Sequence, residues 1–179
     1  EADRTDIPEY FTRRGYEIVD LRDRDCVAEL TGVLIMDRAR RIGFCGLSER
    51  VDRAGAEAMH EAFKLRLTYC FKLVPEEYHT NVVFSVLAAR ACVVHPGACA
   101  DPNAVNAIEA AFPDRTLLLD KEEKDHFVGN CISLNDSDIF MSQAAADHLR
   151  PSSREKLESW GFKIHSTPLD ELEKAGGSL

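Results

Sequence analysis

Apolar positions along the chain fall into short runs bounded by turn residues, and the same order of runs recurs three times at a spacing of roughly fifty residues. The first series is "AELTGVLIM", the turn "DRAR", "RIGFCGLS", the amphipathic "DRAGAEAMHEAFK" and "LTYCFKLV". Alternating or continuous apolar runs of this length predict strands, and the 3.6-residue spacing between them predicts a helix. The second series is "HTNVVFSVL", "ACVVHPG", "DPNAVNAIEAAF" and "RTLLLD". Its helix has Asp101 as a natural N-cap, Pro102 in the first turn and Pro113 as a stop, with Val105, Ile108 and Phe112 on one face. The third is "GNCISLN", "DIFMSQ", "SSREKLESW" and "FKIHS", where Ser152 and Glu155 are spaced as a capping box and Gly161 stands as a C-terminal stop. Each series predicts strand, strand, helix, strand.

The chain therefore reads as one α/β domain built from repeated ββαβ units: the end of a preceding unit over 1–25, then units over 26–76, 77–127 and 128–179. The opening "TRRGYEI" copies "ESWGFKI" of the third unit in the order helix end, glycine, aromatic, charge, isoleucine. Three complete units plus a fraction are visible, and the expectation is an array cut at both ends, part of a larger protein.

Composition narrows the function classes. The 179 residues, 45% hydrophobic and 30% charged, fit one folded domain. A net charge of −9 disfavours a phosphate-tracking surface, so no nucleic-acid partner is expected, and a small cationic ligand is mildly favoured. No apolar run approaches the ~20 residues of a membrane helix, and the acidic "EADRTDIPEY" is unlike a secretory signal, so no membrane association is expected. The six cysteines form no CxxC pair and read as thiols of a reducing compartment, which predicts a cytoplasmic location. His60, His79, His95, His126, His148 and His165 are scattered singly, so the pattern implies neither a metal nor another cofactor. A homo-oligomer is compatible with the sequence, which carries no clear trace of oligomeric state.

The candidate chemistry lies where strands begin. Glu29 in "AELTG", His79 in "YHTNV" and the pair Gly129-Asn130 in "VGNCI" all fall at the entrance of a unit's first strand. Corresponding positions of units arranged in a ring converge on its axis, and a carboxylate beside an imidazole there is material for general acid–base chemistry. Taken alone, a histidine at a strand edge is most often structural and a lone glutamate is a solvated charge.

At these residues the sequence resembles a known family. "ELTGVLIMDR", "GFCGLSERVDRAGAEAM", "YHTNVVFSV", "GNCISLN" and "ELEKAGGSL", in this order, resemble the guanidino-group modifying (pentein) superfamily of dimethylarginine dimethylaminohydrolases, arginine deiminases and amidinotransferases. The resemblance implies a five-bladed α/β propeller of ββαβ units. It also implies a cysteine-dependent hydrolase that converts arginine or a methylated arginine to citrulline, releasing ammonia or an amine through a covalent thiouronium. His79 would then serve as acid and base, Glu29 would hold the guanidinium, and Arg50 of "LSERVD" would clamp the substrate carboxylate. Arg50 also reads as a surface arginine ahead of a helix. "AELTG" departs from the family's glycine-richer carboxylate motif by carrying Leu30. The family's nucleophilic cysteine lies just beyond the turn that "EKAGGSL" resembles, which places it after Leu179, and Cys131 reads as a core thiol instead. Two alternatives stay open: an amidinotransferase, or a catalytically inactive binding or scaffold member of the same fold.

Overall fold

A computed structural model describes residues 5–30 and 32–179 of the chain. Thr31, within the predicted first strand, and residues 1–4 lie outside the described residues. The chain starts with helix α1 (Asp6–Thr12). Next come strands β1 (Leu34–Asp37) and β2 (Ile42–Leu47), helix α2 (Arg53–Ala62) and β3 (Leu67–Lys72). The one-turn helix α3 (Thr80–Val83) leads into β4 (Phe84–Leu87), β5 (Ala91–Val94), α4 (Pro102–Ala111) and β6 (Thr116–Leu118). After α5 (Lys121–Asp125) follow β7 (Ile132–Ser133), β8 (Asp138–Ser142), α6 (Gln143–His148), α7 (Pro151–Ser159), β9 (Lys163–Thr167) and α8 (Asp170–Glu173).

The strands form three separate three-stranded sheets, ordered β1-β2-β3, β4-β5-β6 and β7-β8-β9. In each, the first two strands are antiparallel across a short turn, and the third returns through a helix to lie parallel to the second. A tight turn permits only antiparallel pairing, whereas a parallel return needs a long crossover, so the strand-strand-helix-strand order dictates this arrangement. The fold is mixed α/β with three small sheets, none closed on itself. Among the described residues no helix is long and apolar enough to cross a membrane.

Among the described residues two buried clusters sit between sheets, while a third, around Val33, Leu34, Cys45, Val51, Ala56 and Met59, lies within the first unit. One cluster joins Phe44, Phe71 and Leu73 of the first sheet region to Phe84, Cys92, Val94, Val105, Ile108 and Phe112 of the second. Phe44 meets the rings of Phe84 and Phe112 at 5.0 and 5.9 Å. A second cluster joins Leu87, Val93, Leu117 and Leu119 to Ile139, Met141, Leu149, Leu157 and Phe162. The four residues of β5 are all buried and alternate between the clusters, Cys92 and Val94 in one, Ala91 and Val93 in the other. Successive strand side chains point to opposite faces, so a strand covered on both sides reads as an unbroken apolar run.

Local chemistry explains several element ends. Asp101 accepts from the Asn103 N–H and Pro102 opens α4, as the sequence predicts. The capping box expected from Ser152 and Glu155 does not form, because α7 begins earlier, at Pro151, with Arg150 at the N-cap. A capping box forms instead at α5, between Asp120 and the wholly buried Glu123. Arg150 is held there by Glu123, its N–H and Nε donating to the carboxylate at 3.2 and 2.8 Å. Gly15 and Gly161 follow α1 and α7 with φ of +80° and +82°, a left-handed stop that glycine adopts without steric cost. After Gly15, however, residues 16–18 form no strand. A strand needs a hydrogen-bonding neighbour, and none stands beside them among the described residues. The predicted continuous strand "HTNVVFSVL" is also divided, with Thr80–Val83 turning as α3 before β4 begins.

Candidate active site

His79 occupies the N-cap position of α3 with extended backbone, and its side chain makes no cap bond. The ring is therefore available to the adjoining cleft while the backbone on either side is pinned. Ser48 Oγ donates to the Tyr78 carbonyl at 2.7 Å. Thr80 Oγ1, fully buried, donates to the Val33 carbonyl at 2.6 Å and accepts from the Gly46 N–H at 2.8 Å. The Asn81 N–H donates to the Gly32 carbonyl at 2.9 Å. Gly32 lies so close that a Cβ there would stand 2.8 Å from His79 Nδ1 and 2.5 Å from Asn81 Oδ1. Only a residue without a side chain lets the two segments approach this far.

Glu29 reaches the same place from a loop zipped to the segment around Arg50: its N–H donates to the Arg50 carbonyl at 2.9 Å, and Ala28 bridges Val51. Its carboxylate divides between two partners. Oε1 lies 3.1 Å from His79 Nε2 and Oε2 lies 3.1 Å from Arg50 Nη1. The His79 contact is at ion-pair distance but off the line of a hydrogen bond, so the buried Nε2 has no aligned partner. Arg50 also donates from Nε to Glu49 at 3.1 Å, and its two carboxylate partners raise its already high pKa. Arg50 is about half exposed and sits 5.9 Å from the Tyr78 ring centroid.

These groups line a cleft of about 590 Å³ whose far wall is Leu172, Ala175 and residues 176–178. Tyr78 joins the two walls, its ring 4.6 Å from His79 and its hydroxyl donating to the Gly176 carbonyl. The three residues singled out from the sequence thus share one cleft, although Arg50 is bonded to Glu29 rather than standing apart from it. Glu49 and Tyr78 were not anticipated; the first sits in a run of charges and the second in "EEYH", and neither position carries a distinguishing pattern.

No cysteine lines this cleft among the described residues. Burial pushes the thiols of Cys92 and Cys131 up to about 12 and that of Cys99 up to about 11. Cys45 and Cys70 face each other in register across β2 and β3, and their mutual hydrogen bond raises the Cys45 pKa and lowers that of Cys70. All six cysteines are free thiols. His165 forms a better aligned pair with Asp138 at 2.6 Å, but it is an exposed contact between neighbouring strands.

Chains of known activity share this fold. The bifunctional arginine dihydrolase/ornithine cyclodeaminase AgrE of Nostoc sp. is 27% identical over 172 residues, 95% of this chain and 23% of that protein. ArgZ of Synechocystis sp., described in the same terms, is 25% identical over 94% of this chain and 23% of its own length. The solved N-terminal domain of ArgZ, an arginine dihydrolase of the ornithine–ammonia cycle in cyanobacteria, superposes with a TM-score of 0.82 at 25% identity. It is covered for 60% of its length by 96% of this chain, so the chain spans about a quarter of the curated relatives and under two thirds of that domain. SxtG, an amidinotransferase from Microseira wollei in the saxitoxin biosynthetic pathway, shares the fold, with a TM-score of 0.68 at 13% identity over 97% of this chain and 56% of SxtG. Residues 1–179 match the family described as N,N dimethylarginine dimethylhydrolase, eukaryotic, and the chain belongs to that family, within the guanidino-group modifying superfamily.

Proposed function

We propose that the protein is a cysteine-dependent hydrolase of a guanidino compound, arginine or a methylated arginine, yielding citrulline and ammonia or an amine. The observation that carries this reading is the meeting of His79, Glu29 and Arg50 in one cleft, from segments that are distant in sequence. Its carboxylates, Glu29 and Glu49, suit a cationic ligand. In the proposed cycle the substrate guanidinium displaces Arg50 from Glu29, and Arg50 turns to the substrate carboxylate, where its planar fork gives bidentate hydrogen bonds. A thiolate then adds to the guanidinium carbon. The C–N bond breaks as His79 protonates the departing amine, leaving a thiouronium; His79 next takes a proton from water, which attacks the same carbon and releases citrulline with the thiol restored.

The nucleophile is proposed to be a cysteine shortly after Leu179, because residues 176–178 already form the cleft wall facing His79. The three ββαβ units, with the boundaries 26–76, 77–127 and 128–179, are proposed to be blades of a five-bladed propeller, with residues 1–25 closing a preceding blade. Six free thiols favour a reducing, cytoplasmic setting.

The test is citrulline release by the full-length protein from arginine, monomethylarginine and asymmetric dimethylarginine, compared with His79→Ala. Turnover of one of these by the wild type and about a thousandfold less by the variant is expected. An inert wild type, or a variant that matches it, removes the reading.

A further inference from the structure

Asn130 stands in the bend just before β7, yet its side chain is spent on the far end of the chain. It is 2% exposed, its Oδ1 accepts from the Ser178 N–H at 2.7 Å, and its Nδ2 donates to the Leu179 carbonyl at 2.8 Å. A buried amide that exchanges both its acceptor and a donor with neighbouring residues of a backbone fixes position and direction, where a single bond would leave a pivot.

The clamp is itself held rigidly. The Asn130 N–H donates to the Phe127 carbonyl at 2.9 Å, and Gly129 packs so closely on α3 that a Cβ there would come within 2.7 Å of the Val82 carbonyl oxygen. Residues 129–130 are therefore seated on the same short helix whose N-cap is His79. From the opposite side, the Tyr78 hydroxyl donates to the Gly176 carbonyl. Residues 176–178 form a wall of the His79 cleft, and Leu179 lies with Asn81, Asn130 and Cys131 along a second cavity of about 310 Å³. The backbone of Ser178 and Leu179 is thus held in its course by Asn130.

We infer that Asn130 is a positioning residue, whose amide aims the backbone beyond Leu179 so that the nucleophilic thiol meets the guanidinium carbon opposite His79. This rests on the function proposed above. The role differs from that of a binding residue, because a misdirected nucleophile costs the chemical step while the substrate still binds to Glu29 and Arg50. A displacement of about 1 Å at a reacting group lowers a rate on the order of a hundredfold.

The experiment compares the full-length wild type with Asn130→Ala, Asn130→Asp and Ser178→Pro. Asn130→Asp keeps the acceptor and the size but loses the donor to Leu179, and Ser178→Pro removes the bonded N–H without touching Asn130. Expected is a fall in kcat of about a hundredfold for Asn130→Ala and about tenfold for the other two, with KM within about threefold of wild type. Hydrogen exchange of the segment around Ser178 should accelerate in each variant while α4 and β5 stay protected. Unchanged kcat in folded variants, or KM rising in step with the loss of kcat, overturns the inference. Should Asn130→Ala fail to fold, Ser178→Pro decides by the same readings. A wild type that turns over no guanidine removes the functional reading itself, an outcome distinct from an active wild type whose variants are equally active.

Discussion

The helical turn α3 stands between two junctions that the repeat makes geometrically alike and chemically different. On one side Gly32 approaches His79 and Asn81; on the other Gly129 approaches Val82 and Val83. At each junction an arginine from the turn after a unit's first strand reaches the next unit's helix end. Arg40 donates to the Ala111 carbonyl at 2.7 Å and lies over Phe112, and Arg90 donates to the Trp160 carbonyl at 2.6 Å and lies over Phe162. Even so, among the described residues only the first junction brings a carboxylate and an imidazole together. The scaffold is repeated and the chemistry is not, so a change in the His79 cleft should be read in rate and a change in the repeated contacts of either junction in stability.

The sharpest test of that division is His79→Ala in the full-length protein. In the proposed cycle His79 both gives and takes the proton, so its loss should lower kcat by about a thousandfold, with the denaturation midpoint almost unmoved. The side chain is 14% exposed and its Nε2 makes no aligned hydrogen bond, so no hydrogen bond that holds the fold is lost with it. Thermal unfolding beside steady-state kinetics separates the two effects.

Arg40→Ala should show the reverse balance. Arg40 is paired with Asp37, which is 1% exposed, and without it a buried carboxylate stands uncompensated, at a cost of about 3–5 kcal/mol. Arg90→Ala removes three hydrogen bonds to the carbonyls of Asp136 and Trp160 and a contact over Phe162, but strands no charge. Its cost should be smaller, about 2 kcal/mol. Urea titration measures both, and an Arg90 variant less stable than the Arg40 variant would contradict the reasoning from the buried carboxylate.

The two glycines sharpen the comparison further. A methyl group at Gly129 meets backbone, the Val82 carbonyl oxygen at 2.7 Å, which cannot move alone; Gly129→Ala should therefore destabilise by about 1–3 kcal/mol. At Gly32 the obstruction is side chain, His79 Nδ1 and Asn81 Oδ1, which can rotate away. Gly32→Ala should consequently spare most of the stability and lower kcat by about tenfold, as the imidazole leaves its place before Glu29. Equal loss of stability in both variants would show that His79 is held as firmly as backbone.

What could be read in advance follows from the range of each interaction. The three strand-strand-helix-strand series were legible because strand alternation, helix periodicity and caps such as Asp101 are written within a few neighbouring residues. The turn α3 was not, because Val82 and Val83 are buried in a helical turn as they would be in a strand, and a short apolar run does not distinguish the two. The meeting of Glu29 with His79 was legible through the repeat, which carries equivalent strand entrances to neighbouring places. The bond between Arg50 and Glu29 was not, since it depends on two irregular segments joined by the Ala28–Val51 bridge. Arg40 and Arg90 stand fifty positions apart, but "DRARR" offers three arginines and nothing local selects the one that reaches Ala111.

Arg50→Ala tests the first junction most finely. In this structure the guanidinium shares Glu29 with His79, and in the proposed cycle it must leave Glu29 for the substrate carboxylate. Removing it takes away one attraction for substrate and also one competitor for Glu29, so the two consequences oppose. Loss of a charge-assisted hydrogen bond should prevail and raise KM for arginine about tenfold, with kcat within about threefold of wild type. An alkyl guanidine that lacks the carboxylate isolates the competitor: its KM should fall in the variant, because Glu29 is then free to receive it. A rise in KM for both ligands would place Arg50 in the support of Glu29 alone, and no change for either would return it to the surface.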